Sequence, residues 1–374
     1  MARRCAVIGA GVIGACLALR LAEAGAEVTL LDQDEPGQAT SKWSFAWLNS
    51  NDKAPRAYHE LNHAGLGAWA ALAPQLGGAA WYRPAGNLEW AATAAGYAQL
   101  TARVTRLASW GYRAHMIGAA EAAELEPALK LPATVPGVAW FPAEGYLLTG
   151  PLISQLIEAA MRRGVTVLTG APGQVTGFLA DGGVRTAAGQ PIPADVVVCC
   201  AGRWTPELAR LAAPDSQVPL VPWQTPGAAA PGLVVQAGPV TLDGPARMVH
   251  APAVYLRPHT GELVHLEAPD AAVDLHTPAA RLRRWAAELL GRARQVSRGL
   301  DQAAVTRYQV CVRPMPADGQ SIVGWLPGAH RVYLAVTHSG VTLAAHLAEL
   351  ITTELVTGTA PEELHPYQPS RFGT

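Results

Sequence analysis

The order of apolar and polar positions at the start of the chain predicts a strand, a helix and a second strand. Residues 5–8 form a short continuous apolar run, which is typical of a buried parallel strand. A helical spacing of apolar side chains follows over about residues 11–24, with Gly25 as its C-terminal cap. The apolar anchors of this predicted helix are Leu17, Leu21 and Ala24. A second apolar run, residues 28–31, completes a βαβ unit.

The same periodicities divide the rest of the chain into further elements. Helices are predicted over about residues 55–75, 96–110, 119–125 and 278–293, and two more are predicted to end at Gly164 and near Leu355. Strands are predicted near residues 81–90, 165–168 and 195–200, before the turn at residues 337–340, and as a hairpin of residues 254–257 and 263–266.

The turn inside the first βαβ unit carries three glycines in the order G-x-G-x-x-G. Gly9 allows a sharp turn, Gly11 lets the backbone approach a pyrophosphate, and Gly14 allows the helix to pack closely on the strand. Asp32, at the tip of the second strand, can accept hydrogen bonds from ribose hydroxyls, and its charge disfavours a 2′-phosphate. This context favours dinucleotide binding over an ordinary glycine-rich turn.

Composition narrows the class of protein. The 374 residues suffice for two domains, and 50% hydrophobic with 15% charged residues is typical of a globular chain. A net charge of −1 provides no basic surface for nucleic acid, and no apolar run is long enough to span a membrane. The five cysteines lie mostly in apolar runs without metal-ligand spacing, which predicts no metal site and a cytoplasmic, reducing location. They are Cys5, Cys16, Cys199, Cys200 and Cys311.

The segment after Asp32 mixes hydroxyl and aromatic side chains, whereas an ordinary surface loop is polar throughout. Thr40, Ser41 and Ser44 alternate here with Trp43, Phe45 and Trp47. We interpret this segment as a loop that folds over a bound cofactor. The alternative is a hydrophobic edge that covers another domain.

Several motifs together resemble the FAD-dependent D-amino acid oxidase, glycine oxidase and sarcosine oxidase family. They are the G-x-G-x-x-G turn with TLLD (residues 29–32), G-x-A-T-S (37–41), AG-x-W (201–204), R-P-x-P-x-D-G (313–319), THSGVT (337–342) and the closing PYQPSRF (366–372). The resemblance covers nearly the whole chain. It implies an α/β fold with a Rossmann-like FAD-binding domain and an α+β substrate-binding domain built on a largely antiparallel sheet. The implied FAD-binding domain comprises residues 1–80, 142–215 and 308–374, and the substrate-binding domain comprises 81–141 and 216–307.

The resemblance also implies which residues bind FAD. These are Gly9, Gly11, Gly14, Asp32, Gln33, Thr40, Ser41, Ser44, Phe45, Ala46, Trp47, Val175, Ala201, Gly202, Trp204, Arg313, Gly340, Val341 and Thr342. The flavin is expected to be non-covalent. Cys311 stands two residues before Arg313, at the offset where sarcosine oxidases carry a covalent flavin bond, so a covalent link is the alternative.

Three residues are implied to be catalytic. Arg313 matches the family's carboxylate-binding arginine, and its planar fork suits a bidentate pair with a carboxylate. Tyr255 matches a tyrosine that points at the substrate carboxylate, and His338 lies in the turn beside the flavin. The alternatives are a strand-end salt bridge for Arg313, a sheet tyrosine with its hydroxyl in water for Tyr255, and a packed imidazole for His338.

The implied activity is oxidation of the C–N bond of an amino acid or small amine by hydride transfer to flavin N5, which gives an imine. The electron acceptor is oxygen or another molecule. Three rivals stay open: an amine dehydrogenase, favoured by scarce lysine near the flavin; an NAD-dependent dehydrogenase; and a non-catalytic flavin-binding protein. The substrate, its stereochemistry and the oligomeric state are not predicted.

Overall fold

The computed structural model describes residues 3–77 and 80–373. Within these ranges no helix is both long enough and apolar enough to cross a membrane. The α-helices there are α1 Val12–Glu23, α2 Thr40–Trp43, α3 Arg56–Gln75, α4 Ala94–Ser109, α5 Ala119–Leu125, α6 Thr149–Arg162, α7 Thr205–Ala212, α8 Ala279–Val296 and α9 Gly340–Thr357. Short 3₁₀ helices cover Gly202–Trp204, Glu362–Tyr367 and Pro369–Phe372.

The β-strands belong to four sheets. In chain order they are β1 Arg4–Ile8, β2 Glu27–Asp32, β3 Trp47–Leu48, β4 Tyr82–Arg83, β5 Asn87–Glu89, β6 His115–Ile117, β7 Val138–Phe141, β8 Gly145–Leu147, β9 Thr166–Thr169, β10 Val175–Phe178, β11 Val184–Thr186, β12 Pro191–Ile192, β13 Val196–Cys199, β14 Pro231–Gly238, β15 Met248–Ala251, β16 Val254–Pro258, β17 Val264–Glu267, β18 Ala304–Val312, β19 Ile322–Trp325 and β20 Val332–Val336.

The first sheet is a mostly parallel six-stranded sheet in the order β19-β20-β13-β1-β2-β9. Only β19 runs antiparallel to its neighbour. Strand β1 lies between β13 and β2 and is buried over its last four residues, which explains its uninterrupted apolar sequence. The carboxyl ends of β1, β2 and β13 therefore meet at one edge of the sheet.

The second large sheet has eight strands in the order β18-β14-β17-β16-β15-β5-β7-β6 and is antiparallel except between β15 and β5. Helix α8 packs on it through four buried side chains, Ala286, Leu289, Leu290 and Ala293. Two small antiparallel sheets, β10-β11-β12 and β3-β8-β4, complete the fold. The expected α/β class with a parallel and a largely antiparallel sheet is confirmed.

Helix α1 differs from the amphipathic helix that its sequence predicts. Leu17 and Leu21 are buried as expected, but Ala24 is exposed, just beyond the last helical residue. Most of the residues from Val12 to Leu19 are buried as well, because α6 and α9 also pack against α1. The polar part of the helix is confined to Arg20 and Glu23 near its C-terminal end.

The strand predicted over residues 81–90 is instead two short strands in different sheets. Strand β4 pairs with β8, whereas β5 pairs with β7 and β15. Gly86 stands between them with φ +79°, and a Cβ there would lie 1.8 Å from the Trp140 ring. The chain therefore bends at a position that only glycine can fill.

The division into two domains stays a prediction. All six strands of the parallel sheet fall within the segments predicted for FAD binding. Strand β18, by contrast, crosses the predicted boundary at residue 308 and belongs wholly to the eight-stranded sheet.

Two glycines of α3 allow a matched test of helix packing. A Cβ on Gly65 would lie 2.5 Å from the carbonyl oxygen of Thr342 in α9, whereas Gly67 is exposed with no atom within 4 Å of such a Cβ. We expect Gly67→Ala to raise the free energy of unfolding by about 0.5–1 kcal/mol and Gly65→Ala to lower it by about 1–3 kcal/mol. Thermal and denaturant melts check this, and a shift in the same direction for both variants would contradict the packing of α3 on α9.

Candidate active site

The glycine-rich turn packs too closely to accept side chains at two of its positions. A Cβ on Gly9, whose φ is +100°, would lie 2.5 Å from the carbonyl oxygen of Cys200. A Cβ on Gly14 would lie 1.9 Å from the carbonyl oxygen of Gly9. Helix α1 then begins without a side-chain cap from Gly11, so its amino end directs backbone N–H groups toward the space beyond the turn.

Asp32 holds this turn against the end of β2. One carboxylate oxygen accepts a hydrogen bond from the backbone N–H of Ala10 at 2.7 Å, and the other accepts from the N–H of Asp34 at 3.0 Å. Burial raises the pKa of Asp32, and these two hydrogen bonds oppose that shift. The carboxylate retains lone pairs for further donors, such as ribose hydroxyls.

A cavity of about 330 Å³, the first cavity, opens beside the turn. It is lined by most of the predicted cofactor residues, namely Gly9, Gly11, Asp32, Gln33, Thr40, Ser41, Ser44, Val175, Ala201, Gly202, Trp204, Gly340 and Val341. Gly14 does not line it and instead supports the turn from below. Residues that are distant in sequence therefore converge on one elongated site.

A second cavity, of about 240 Å³, continues from the first. The two share Thr40, Ser44, Pro314, His338 and Val341. The remaining predicted site residues line the second cavity: Phe45, Ala46, Trp47, Tyr255, Arg313 and Thr342. A third cavity, of about 620 Å³, lies beyond the wall formed by Gly232, Tyr255, Glu267 and Arg313.

The loop between α2 and β3 is held in one unusual conformation. Ala46 has φ +58°, which is rare for a residue with a side chain. The Ser44 hydroxyl accepts a hydrogen bond from the Ala46 N–H at 3.0 Å, and the buried Arg257 guanidinium donates to the Phe45 carbonyl. These contacts explain how an aromatic-rich loop stays ordered at the edge of two cavities.

Trp47 is anchored from behind by Glu144, a carboxylate with no solvent exposure. The Trp47 indole N–H donates to Glu144 at 2.9 Å, and three further donors, from Asn51, Asn87 and Tyr112, reach the same carboxylate at 3.2, 3.1 and 2.8 Å. Burial raises the pKa of Glu144 to about 8, against the opposing effect of these hydrogen bonds. This polar cluster ties β3, β5 and the β7–β8 turn together beneath the second cavity.

Arg313 follows β18 and is half-buried on the wall between the second and third cavities. Its Nε donates to the Ala230 carbonyl and its Nη2 to the Ala229 carbonyl, both at 3.0 Å. Among the described residues no carboxylate lies within ion-pair distance, so the strand-end salt bridge considered from the sequence is wrong. One side of the guanidinium is thereby oriented by backbone, and the end carrying Nη1 remains able to pair with an anion.

Tyr255 and His338 also lie on these walls. Tyr255 lies against the His250 ring at 4.3 Å, and burial raises its pKa to about 12, so its hydroxyl stays protonated. His338 stands between β20 and α9 and lines both the first and the second cavity. His338 is exposed to the cavities, and the surrounding protein and the charges of Lys53 and Arg313 lower its pKa, so the imidazole is neutral at pH 7.

Four residues at this site were missed by sequence reasoning: Arg203, Lys53, His250 and Glu267. Arg203 is the only arginine or lysine lining the first cavity among residues 3–77 and 80–373, and its guanidinium lies 4.0 Å from the Trp204 ring. Lys53 lines the second cavity, whereas no lysine among the described residues lines the first. Strand alternation in the predicted hairpin could have placed Glu267 on the face of Tyr255, whereas no local signal identifies the others.

Cys311 is a free, buried thiol on the wall of the second cavity. Its Sγ lies 3.8 Å from the Thr40 carbonyl oxygen, and burial raises its pKa to about 12. Such a shift disfavours the thiolate, which is the reactive form of cysteine.

These features are typical of a dinucleotide-binding protein: a glycine cradle at a helix amino end, an acidic residue at the next strand tip, and a cavity beside them that continues to an antiparallel sheet. The chain belongs to the DAO family of FAD-dependent oxidoreductases, whose sequence model matches residues 4–354. FAD is therefore its cofactor, and the NAD-dependent alternative is wrong. The glycine cradle and the acceptor Asp32 fit the diphosphate and ribose of that cofactor.

Comparisons with individual proteins agree with this assignment. The chain is 27% identical over 386 residues to the uncharacterized oxidoreductase YurR of Bacillus subtilis, covering 97% of this chain and 98% of that protein. Its fold is similar to that of L-proline dehydrogenase from P. horikoshii, with a TM-score of 0.85, 19% identity and coverage of 99% and 98% of the two chains. It is also similar to glycine oxidase from Geobacillus kaustophilus, with a TM-score of 0.83, 23% identity and 99% coverage of both.

Proposed function

We propose that this protein oxidises the C–N bond of an amino acid or a small carboxylate-bearing amine to an imine, which leaves and hydrolyses. The observation that carries the proposal is the Arg313 guanidinium, oriented by two backbone carbonyls on the wall of a cavity that continues from the FAD site. A half-buried cation without a carboxylate partner among the described residues is well placed to pair with an anion. Solved structures of similar fold include a proline dehydrogenase and a glycine oxidase, which supports an amino acid as substrate.

The first cavity would hold the diphosphate, ribose and adenine portions of FAD. The amino end of α1 and Arg203 would pair with the diphosphate, Asp32 would accept from the ribose, and the backbone at Val175 would contact the adenine. The amino end of α9 would face the polar edge of the flavin. When bound, FAD supplies the two-electron acceptor of the oxidation.

The second cavity would hold the substrate. Arg313 would pair with the carboxylate through its free end, and the protonated Tyr255 hydroxyl would donate to the same group. His338, which is neutral, would contribute a hydrogen bond without adding charge beside the flavin. The aromatic side chains of Phe45 and Trp47 would exclude water from the reacting atoms.

We also propose a non-covalent flavin and a cytoplasmic location. The raised pKa of Cys311 argues against a thiolate that could attack the flavin. All five cysteines are free and buried, which suits a reducing compartment. The electron acceptor is proposed to be oxygen or another acceptor.

The test is anaerobic titration of the FAD-loaded protein with D- and L-amino acids and secondary amines, each paired with its carboxylate-free analogue, such as L-proline with pyrrolidine. We expect at least one carboxylate-bearing amine to bleach the visible absorbance of the flavin and its analogue to leave it unchanged. Bleaching by dithionite alone would contradict the proposed activity. Peroxide production under air then separates an oxidase from a dehydrogenase.

A further inference from the structure

Glu267 places a carboxylate directly beside the proposed substrate site. In the eight-stranded sheet Glu267 pairs with Tyr255 on one side and with Val234 on the other. Cross-strand partners project from the same face of a sheet, and so do residues two apart on one strand. Glu267, Tyr255 and Gly232 therefore share the face that lines the second and third cavities.

Gly232 leaves a gap between two opposite charges. A Cβ on Gly232 would lie 3.8 Å from Nη2 of Arg313 and 3.8 Å from Oε1 of Glu267. Arg313 and Glu267 are nevertheless not within 4 Å of each other in the described part of the chain. One small group near Gly232 would thus be within reach of both charges.

The Glu267 carboxylate has no hydrogen-bond partner among residues 3–77 and 80–373. The titratable groups that face it are Arg313, Arg257, Tyr255 and Cys311. Burial raises the pKa of Glu267, and the two arginines partly oppose that shift. A half-buried carboxylate without partners is costly, and a cation on the ligand would offset that cost.

An α-amino acid has the shape that this gap requires. At neutral pH it is a zwitterion whose ammonium and carboxylate groups are attached to the same carbon. Two protein charges that stand close together without touching can each pair with one end of such a molecule. A carboxylic acid without an amine would leave Glu267 unpaired.

We propose that Glu267 binds the substrate ammonium group while Arg313 binds the carboxylate, so that the site selects α-amino acids in their zwitterionic form. Glu267 then accepts one ammonium proton: the N–H bond breaks, the carboxyl O–H bond forms, and the nitrogen keeps its electron pair. This step involves no oxidant and delivers the neutral amine that is oxidised. The inference rests on the proposed function.

The test measures equilibrium binding by calorimetry to the FAD-loaded protein. The probes are α-aminoisobutyrate, a zwitterion that has no α-hydrogen to lose, and isobutyrate, which has the same carbon skeleton without the amine. We expect the wild type to bind α-aminoisobutyrate more tightly. Glu267→Gln should raise the dissociation constant for α-aminoisobutyrate by about 10- to 100-fold, because the ion pair with the amine is lost. The dissociation constant for isobutyrate should stay nearly unchanged.

Three variants complete the design. Glu262→Gln, at the exposed tip of the same hairpin, is the matched control. It should change the dissociation constant of neither ligand. Gly232→Ala should fold, because its methyl group would lie 3.8 Å from its nearest neighbours. It should nevertheless weaken the binding of both ligands, because the methyl group fills the gap between Arg313 and Glu267. Glu267→Asp keeps the charge and should retain the preference, which covers the case in which Glu267→Gln does not hold FAD.

If Glu267→Gln leaves the ratio of the dissociation constants for α-aminoisobutyrate and isobutyrate unchanged, the role of Glu267 is overturned. The proposed function would remain intact. Failure of both ligands to bind the wild type would overturn the pairing of Glu267 and Arg313 with a zwitterion. Bleaching of FAD by a carboxylate-free amine would instead count against the proposed function. The two hypotheses can therefore fail separately.

Discussion

Replacing Arg313 by alanine is expected to raise the Michaelis constant for any amino acid substrate by about 100-fold or more. The substitution removes the guanidinium that would pair with the substrate carboxylate, and no other arginine of residues 3–77 and 80–373 lines the second cavity. A charge-assisted hydrogen bond in a partly desolvated site is worth more than one at the surface, and its loss leaves the carboxylate unpaired. Steady-state kinetics with the best substrate of the anaerobic panel measures the effect.

Two further variants test whether the effect depends on the planar bidentate geometry of the Arg313 guanidinium. Arg313→Lys keeps the charge but not the planar bidentate geometry, so its Michaelis constant should fall between those of wild type and alanine. Arg307→Ala removes an exposed arginine from β18 and should leave the Michaelis constant unchanged. Because Arg313 also binds two backbone carbonyls, FAD absorbance should be compared among the variants. An unaltered Michaelis constant in an FAD-loaded Arg313→Ala protein would exclude the carboxylate-binding role.

Glu144→Leu is expected to lower the free energy of unfolding by about 3–5 kcal/mol. The substitution leaves the donors of Trp47, Asn51, Asn87 and Tyr112 without their common acceptor in a site closed to water. Each buried donor without a partner costs about 1–3 kcal/mol, and relaxation recovers part of the sum. Denaturant unfolding of the FAD-loaded protein, followed by tryptophan fluorescence, provides the measurement.

The control for this second prediction is Glu124→Ala, which removes an exposed glutamate of α5 and should leave stability within about 0.5 kcal/mol of wild type. Glu144→Gln retains one acceptor oxygen, so its free energy of unfolding should lie between those of the wild type and Glu144→Leu. A Glu144→Leu protein with wild-type stability would show that the four donors have other partners. Because Trp47 lies on the second cavity, loss of its anchor should also weaken substrate binding.

Local sequence was sufficient to predict the glycine-rich turn and the elements around it. Gly14 and Asp32 contact residues within one βαβ unit, so their roles depend on residues close in the chain, whereas Gly9 is also held against the distant Cys200 carbonyl. Helix α5 and the β16–β17 hairpin were likewise predicted correctly, because helical periodicity and strand alternation are local properties. The exposure of Ala24 and the split of residues 81–90 were missed because neighbouring elements decide them.

The resemblance to the FAD-dependent family, now confirmed, extended the prediction beyond local structure. The resemblance implied that Thr40, Val175 and Gly340 share the cofactor site, and all three line the first cavity. It could not identify Arg203, which fills the variable position of AG-x-W, or His250 and Glu267, which stand outside the motifs that carried the resemblance. The roles of the site residues stay predictions until they are tested.

The sequence alone determined the dinucleotide-binding turn, because that turn depends on a short motif with fixed local geometry, and its resemblance to the family implied the class of fold and the cofactor. The tertiary structure alone decided that Arg313 has no carboxylate partner among residues 3–77 and 80–373, that Lys53 lies at the second cavity and that Glu267 faces Arg313 across Gly232. The physical reason is strand register. Residues from β14, β16, β17 and the end of β18 share one face only after the sheet has formed, and a shift of one residue in any strand would turn its side chains to the other face.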